Sequence, residues 1–89
     1  MKLLVSRQAA EDVQRLHAFL TEKNPRIAER AVEALVDAVE SLEILPERGR
    51  PSGIPGIREL FVPFGQSAYN ANNGEIVILR IWHGRETRE

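Results

Sequence analysis

The 89-residue sequence has no cysteine. A disulfide framework and a thiolate metal site are therefore both excluded as supports for so small a chain, and a reducing cytoplasm is the expected compartment. Long apolar runs are missing too. Met1 to Ser6 carries one positive charge and a short aliphatic stretch that Arg7 and Gln8 interrupt, too brief for a signal core or a membrane span. No charge of one sign dominates: 12 Lys+Arg stand against 13 Asp+Glu, a net charge of −1. Nucleic acid would gain no attraction from the molecule as a whole, so any such contact must be local. Lysine occurs only at Lys2 and Lys23.

What is present suits folding. Hydrophobic residues make up 43% and charged residues 28%, as in ordinary soluble domains and unlike disordered chains. The length allows one domain, 1–89, and not two that each bury a core.

Lys2 to Ser6 reads as a first strand, with Ser6 as N-cap of a following helix. Ala9, Val13, Leu16, Phe19 and Leu20 recur at helical spacing between Gln8 and Lys23, with Glu11 and Asp12 expected in the first turn, where the helix dipole favours acids. Asn24-Pro25 then opens a second helix, Asn as cap and Pro at the first helical position. The buried stripe of that helix reads Ile27, Ala31, Leu35, Ala38, Val39, Leu42 and Leu45. So tight a connection predicts an antiparallel helical hairpin.

Pro46 to Gly56 concentrates Pro and Gly as a loop does. Ile57 to Pro63 turns β-like, Gln66 to Tyr69 is a further short strand, and Asn70 to Gly74 ends in the hairpin signal Asn-Gly. Glu75 to His83 is a β-branched and aromatic run suited to a central strand buried on both faces. The expected class is α+β in the order β-α-α-β-β-β, the helical hairpin lying on one face of a small antiparallel sheet.

Several motifs resemble the RelE/ParE toxin superfamily of type II toxin-antitoxin systems. They are Ala9-Ala10-Glu11-Asp12-Val13, Asn24-Pro25, Leu45-Pro46-Glu47-Arg48-Gly49-Arg50-Pro51, Pro55-Gly56-Ile57-Arg58-Glu59-Leu60 and Ile78-Leu79-Arg80-Ile81-Trp82-His83-Gly84-Arg85. Nearly the whole chain is covered, and the detail favours the ParE-like, plasmid-stabilisation branch. One departure concerns the third strand: family members usually continue after Tyr69 with more β-forming residues, often aromatic and basic. Here Asn70 to Gly74 follows at once, so a truncated strand is expected.

For the RNA-cleaving branch the resemblance implies basic groups and a tyrosine around the scissile phosphate, where proton transfer and charge stabilisation are needed. The candidates are Arg58, Tyr69, Arg80 and His83. Arginine clamps phosphate but is a poor base, and of these only His83 is a residue type whose unperturbed pKa suits proton shuttling near neutrality. Neither lysine falls on the strands where that branch keeps its basic cluster, so this set is thin for a nuclease.

As a binding surface for a target, the candidates are Arg48, Arg50, Arg58, Trp82, His83 and Arg85. Arg48 and Arg50 could grip an acidic partner or a nucleic-acid backbone, or simply cap the carbonyls of the preceding helix. Arg58 beside Glu59 could pair across strands. Trp82 is either core or an exposed anchor. His17, alone on a helix, reads as a solvated residue, no metal-ligand spacing or phosphate-cradling glycine motif occurs, and no cofactor is expected.

The resemblance to ParE implies a binding toxin that traps DNA gyrase and catalyses nothing itself. The alternatives are a ribosome-dependent mRNA interferase and an antitoxin-binding module without toxicity. All three imply a cognate, ParD-like or similar antitoxin encoded alongside, with a disordered segment that folds on the toxin. It is expected along the helical hairpin and a sheet edge, against Val13, Leu16, Leu20 and Leu35. No membrane partner is expected.

Overall fold

The computed structural model describes residues 2–62 and 65–83, with only the backbone of His83. Strand β1 (Lys2–Val5) leads into helix α1 (Arg7–Lys23), helix α2 (Pro25–Glu40) and a short 3-10 turn (Ser41–Glu43). Strands β2 (Arg50–Pro51), β3 (Ile57–Val62), β4 (Gly65–Asn72) and β5 (Glu75–His83) complete the order. The strands form one sheet, β1-β5-β4-β3-β2. Among the described residues, no helix is long and apolar enough to cross a membrane.

Side-chain caps set both helix starts. The Ala9 amide donates to Ser6 Oγ at 3.0 Å, while the same hydroxyl donates to the Leu79 carbonyl, so the cap of α1 is also a clamp on β5. Asn24 Oδ1 accepts from the amides of Arg26 and Ile27, and Pro25 follows as the first helical residue. The first turn of α1 contains no acid: the helix starts at Arg7, which leaves Glu11 and Asp12 beyond the reach of the terminal dipole.

The hairpin covers one sheet face. Leu16, Leu20, Ala28, Ala31, Leu35 and Leu42 pack with Leu60, Tyr69, Ile76, Ile78 and Ile81 into a single core. Ile27 and Leu45, expected in the buried stripe of α2, are instead 42% and 58% exposed. Ile27 lies in the first turn of α2, at the hairpin tip, and Leu45 lies past the 3-10 turn that ends the helical repeat.

The sheet differs from expectation in four respects, one of them an added two-residue edge strand, β2, inside the loop expected from Pro46 to Gly56. The sheet is mixed, because β1 pairs with β5 in parallel, a pairing that needs a long connection and here spans both helices and strands β2 to β4. β4 is not truncated: Asn70, Ala71 and Asn72 extend it to 8 residues, paired with β5 as far as Asn72 opposite Glu75. The connection is then the two-residue turn Asn73-Gly74, both with positive φ (52° and 79°), as this kind of hairpin demands. Lastly, β5 is an inner strand but is buried on one face only: Ile76, Ile78 and Ile81 lie beneath the helices, while Val77, Leu79, Arg80 and Trp82 are half-buried.

Candidate binding face of the sheet

The register of the sheet sorts its residues into two faces. Leu60, Ser67 and Ile81 are partners across β3, β4 and β5, and all three are buried under the helices. The next row, Phe61, Gln66 and Trp82, therefore points to the other face, where Phe61 is 54% exposed and Gln66 and Trp82 are half-buried. An arginine stacks at each end of this row: the Arg50 guanidinium lies 4.6 Å from the Phe61 ring centroid and that of Arg80 5.7 Å from Trp82. Such stacks hold planar cations in place without saturating their donors.

A β-bulge builds the Trp82 end. Tyr69 pairs with Ile78 but Ala68 pairs with Arg80, so Leu79 is an extra residue and the facing of β5 changes beyond it. β1 ends at Val5 opposite Ile78, which would leave the next outward-facing amide of β5 unpaired. Asp12 of α1 fills that place. Its Oδ2 accepts from the Ile81 amide at 2.8 Å and from Arg80 Nε at 2.9 Å, while Oδ1 accepts from Arg15. Burial pushes the carboxyl pKa up, but hydrogen bonds from Arg80, the Ile81 amide and Arg15 outweigh that and hold it below the ordinary value.

The Phe61 end rests on the loop before β2. Arg48, Gly49, Arg50, Glu59, Leu60 and Phe61 line an open groove of about 240 Å³ there. Arg48 donates to Ser41 Oγ at 2.6 Å, and Ser41 in turn donates to the Ala38 carbonyl near the end of α2. That arrangement approaches the helix-capping role open to Arg48 from sequence, through a hydroxyl instead of directly. Arg50 leaves the helix end and stacks on Phe61.

Of the target-binding candidates, Arg50 and Trp82 lie on the open face, at opposite ends of its row. Arg48 sits at the groove. Arg58 faces the helix side, with NH1 donating to the Gly49 carbonyl at 2.7 Å. Arg85 lies outside the described residues, as does the side chain of His83.

Among the described candidates for RNA cleavage, Tyr69 and Arg58 both bind Gly49, and Arg80 does not join them. Tyr69 is fully buried, its hydroxyl donating to the Pro46 carbonyl and accepting from the Gly49 amide. Both hydrogen-bonding roles of the phenol are thereby taken inside the core. Arg80 is bound to Asp12. Leu16, Leu20 and Leu35, expected as antitoxin contacts, are 5%, 6% and 3% exposed and belong to the core, and Val13 packs partly against it. Periodicity finds the inward stripe, and that stripe is already used by the sheet. The exposed large apolar residues of the hairpin region are Phe19, Ile27, Val36, Ile44 and Leu45.

Sequence reading missed Phe61, Gln66 and Asp12. Alternation along Ile57 to Val62 could have placed Phe61 opposite Leu60. Asp12 has one local partner, Arg15, but those that tie it to the sheet lie 68 and 69 residues away.

Known proteins agree with this architecture. The family profile for the ParE toxin of the type II toxin-antitoxin system parDE matches residues 3–88. Toxin RelE1 of Caulobacter vibrioides is 43% identical over 90 residues, covering 97% of this chain and 96% of that protein. Toxin RelE3 of the same organism is 31% identical, covering 91% of each. A solved structure of the chromosomal ParDE system from P. aeruginosa superposes with a TM-score of 0.80 at 31% identity, covering 93% of this chain and 95% of that one. A helical hairpin clamped over a mixed sheet, matched along nearly its whole length, places this chain in the ParE toxin family of type II toxin-antitoxin systems.

Proposed function

We propose that this toxin acts by binding and not by catalysis: it occupies DNA gyrase in the cytoplasm through the open sheet face and is neutralised by a cognate antitoxin. One observation carries the reading. Three of the four groups named for RNA cleavage are committed to holding the fold, Tyr69 to Pro46 and Gly49, Arg58 to Gly49 and Arg80 to Asp12. What the open face offers is a row of aromatics with stacked arginines, the residue types that anchor protein interfaces.

The antitoxin belongs on the other side in this reading. Ile27, Val36, Ile44 and Leu45 give it apolar contacts that the core does not already use. Co-purification of the neighbouring gene product should be lost when Ile44 and Leu45 become Ser; unchanged capture would contradict this placement.

A second reading is favoured by the names of the Caulobacter relatives: ribosome-dependent mRNA cleavage through Arg58, Arg80, His83 and Tyr69. Purified toxin separates the two. Accumulation of cleaved gyrase-DNA complex with intact mRNA is the expected result, whereas cut mRNA in a translation reaction with gyrase unaffected supports the second. Unimpaired growth of antitoxin-free cells at good expression would support a module without toxicity.

A further inference from the structure

The fully buried Tyr69 has a task that neither core packing nor RNA chemistry explains. Tyr69 and Arg58 are register partners on β4 and β3, beneath the helices, and both reach the same stretch of chain between α2 and β2. The Tyr69 hydroxyl donates to the Pro46 carbonyl at 2.8 Å and accepts the Gly49 amide at 2.9 Å. Arg58 NH1 donates to the Gly49 carbonyl at 2.7 Å. Three backbone groups of a loop that could otherwise hydrogen-bond to water are thus fixed by two side chains of the sheet. Contact is close enough to dictate sequence, since a Cβ on Gly49 would lie 2.7 Å from both Tyr69 Cε1 and its hydroxyl and 2.8 Å from the Glu59 carbonyl.

The loop so held carries Arg48 on one side of Gly49 and Arg50 on the other. Arg48 is drawn to Ser41 and Arg50 to the Phe61 ring. We infer that Tyr69 and Arg58 are positioning residues that lock the 46–50 loop, so that Arg48 and Arg50 meet the target preorganised. A loop ordered before binding loses less conformational freedom on binding, and this raises affinity without a new contact. The inference rests on the binding-toxin reading, deepens it, and reassigns the one tyrosine from cleavage to support.

Tyr69→Phe keeps the ring and removes the hydroxyl. In the full-length toxin, amide hydrogen exchange at Gly49 should accelerate about tenfold or more, while Ile76 and Ile78 in β5 keep their protection. Inhibition of the target should weaken to the same degree as in an Arg48→Ala/Arg50→Ala variant. Combining all three substitutions should add little further loss, because the phenol acts only through the arginines.

Unchanged exchange at Gly49 would overturn the latch. So would a Tyr69→Phe protein with a freed loop and full inhibition, or one whose loss adds fully to that of the arginine variant. Should Tyr69→Phe lose protection throughout the sheet, Arg58→Met tests the same loop through the Gly49 carbonyl, with the same expected and contrary results. Failure of the wild-type toxin to inhibit gyrase would count against the gyrase reading, and the Gly49 exchange rates would still decide the latch.

Discussion

Asp12 shows how one side chain can complete a sheet that its own strands leave unfinished. The carboxylate is 1% exposed and collects an amide and two guanidinium donors, all of which lose their acceptor if it goes. Asp12→Asn should cost about 2 kcal/mol in a denaturant melt. This is below the ~3–5 kcal/mol of a fully buried broken pair, because Arg80 is 34% exposed and water compensates part of the loss. The pH dependence has a definite sign. The folded-state pKa is depressed, so the contribution is fully present above the unfolded value of about 3.9 and disappears as the pH falls through the lower folded value. Acid titration of the wild type should show a stability decline in that window that Asp12→Asn lacks. A variant with the wild-type acid profile would contradict the assignment.

At the scale of elements, short-range chemistry places the boundaries and long-range pairing places the faces. Asn24 ends one helix and caps the next, its Oδ1 serving two amides. Asn24→Ala should therefore cost about 1 kcal/mol, measured as a lower melting midpoint with an unchanged denaturant slope. Such signals were legible in the sequence: Ser6, Asn24-Pro25 and Asn73-Gly74 each act through neighbours within three residues. The parallel pairing of β1 with β5 and the bulge at Leu79 were not, because neither depends on a local pattern. The length of β4 was misjudged for a related reason: Asn70 and Asn72 are poor strand formers alone, but pairing with Val77 and Glu75 holds them in the ladder. At the site, Arg50 and Trp82 were recognisable as residue types suited to interfaces. That Phe61 joins them on one row, whereas Tyr69 turns inward, follows from a register the sequence does not display.

The molecule as a whole separates its two surfaces. Helices occupy one side of the sheet, with Ile27, Val36, Ile44 and Leu45 exposed around them, and the aromatic row occupies the other. A toxin arranged in this way can be held by its antitoxin on one side while its target is met by the other. The central claim is that inhibition runs through the open face, and gyrase inhibition by a Phe61→Ala/Trp82→Ala variant tests it most directly, with antitoxin affinity measured on the same protein. Loss of two anchors should weaken inhibition by about 100-fold or more, with antitoxin binding nearly unchanged. Inhibition at the wild-type level would contradict the account.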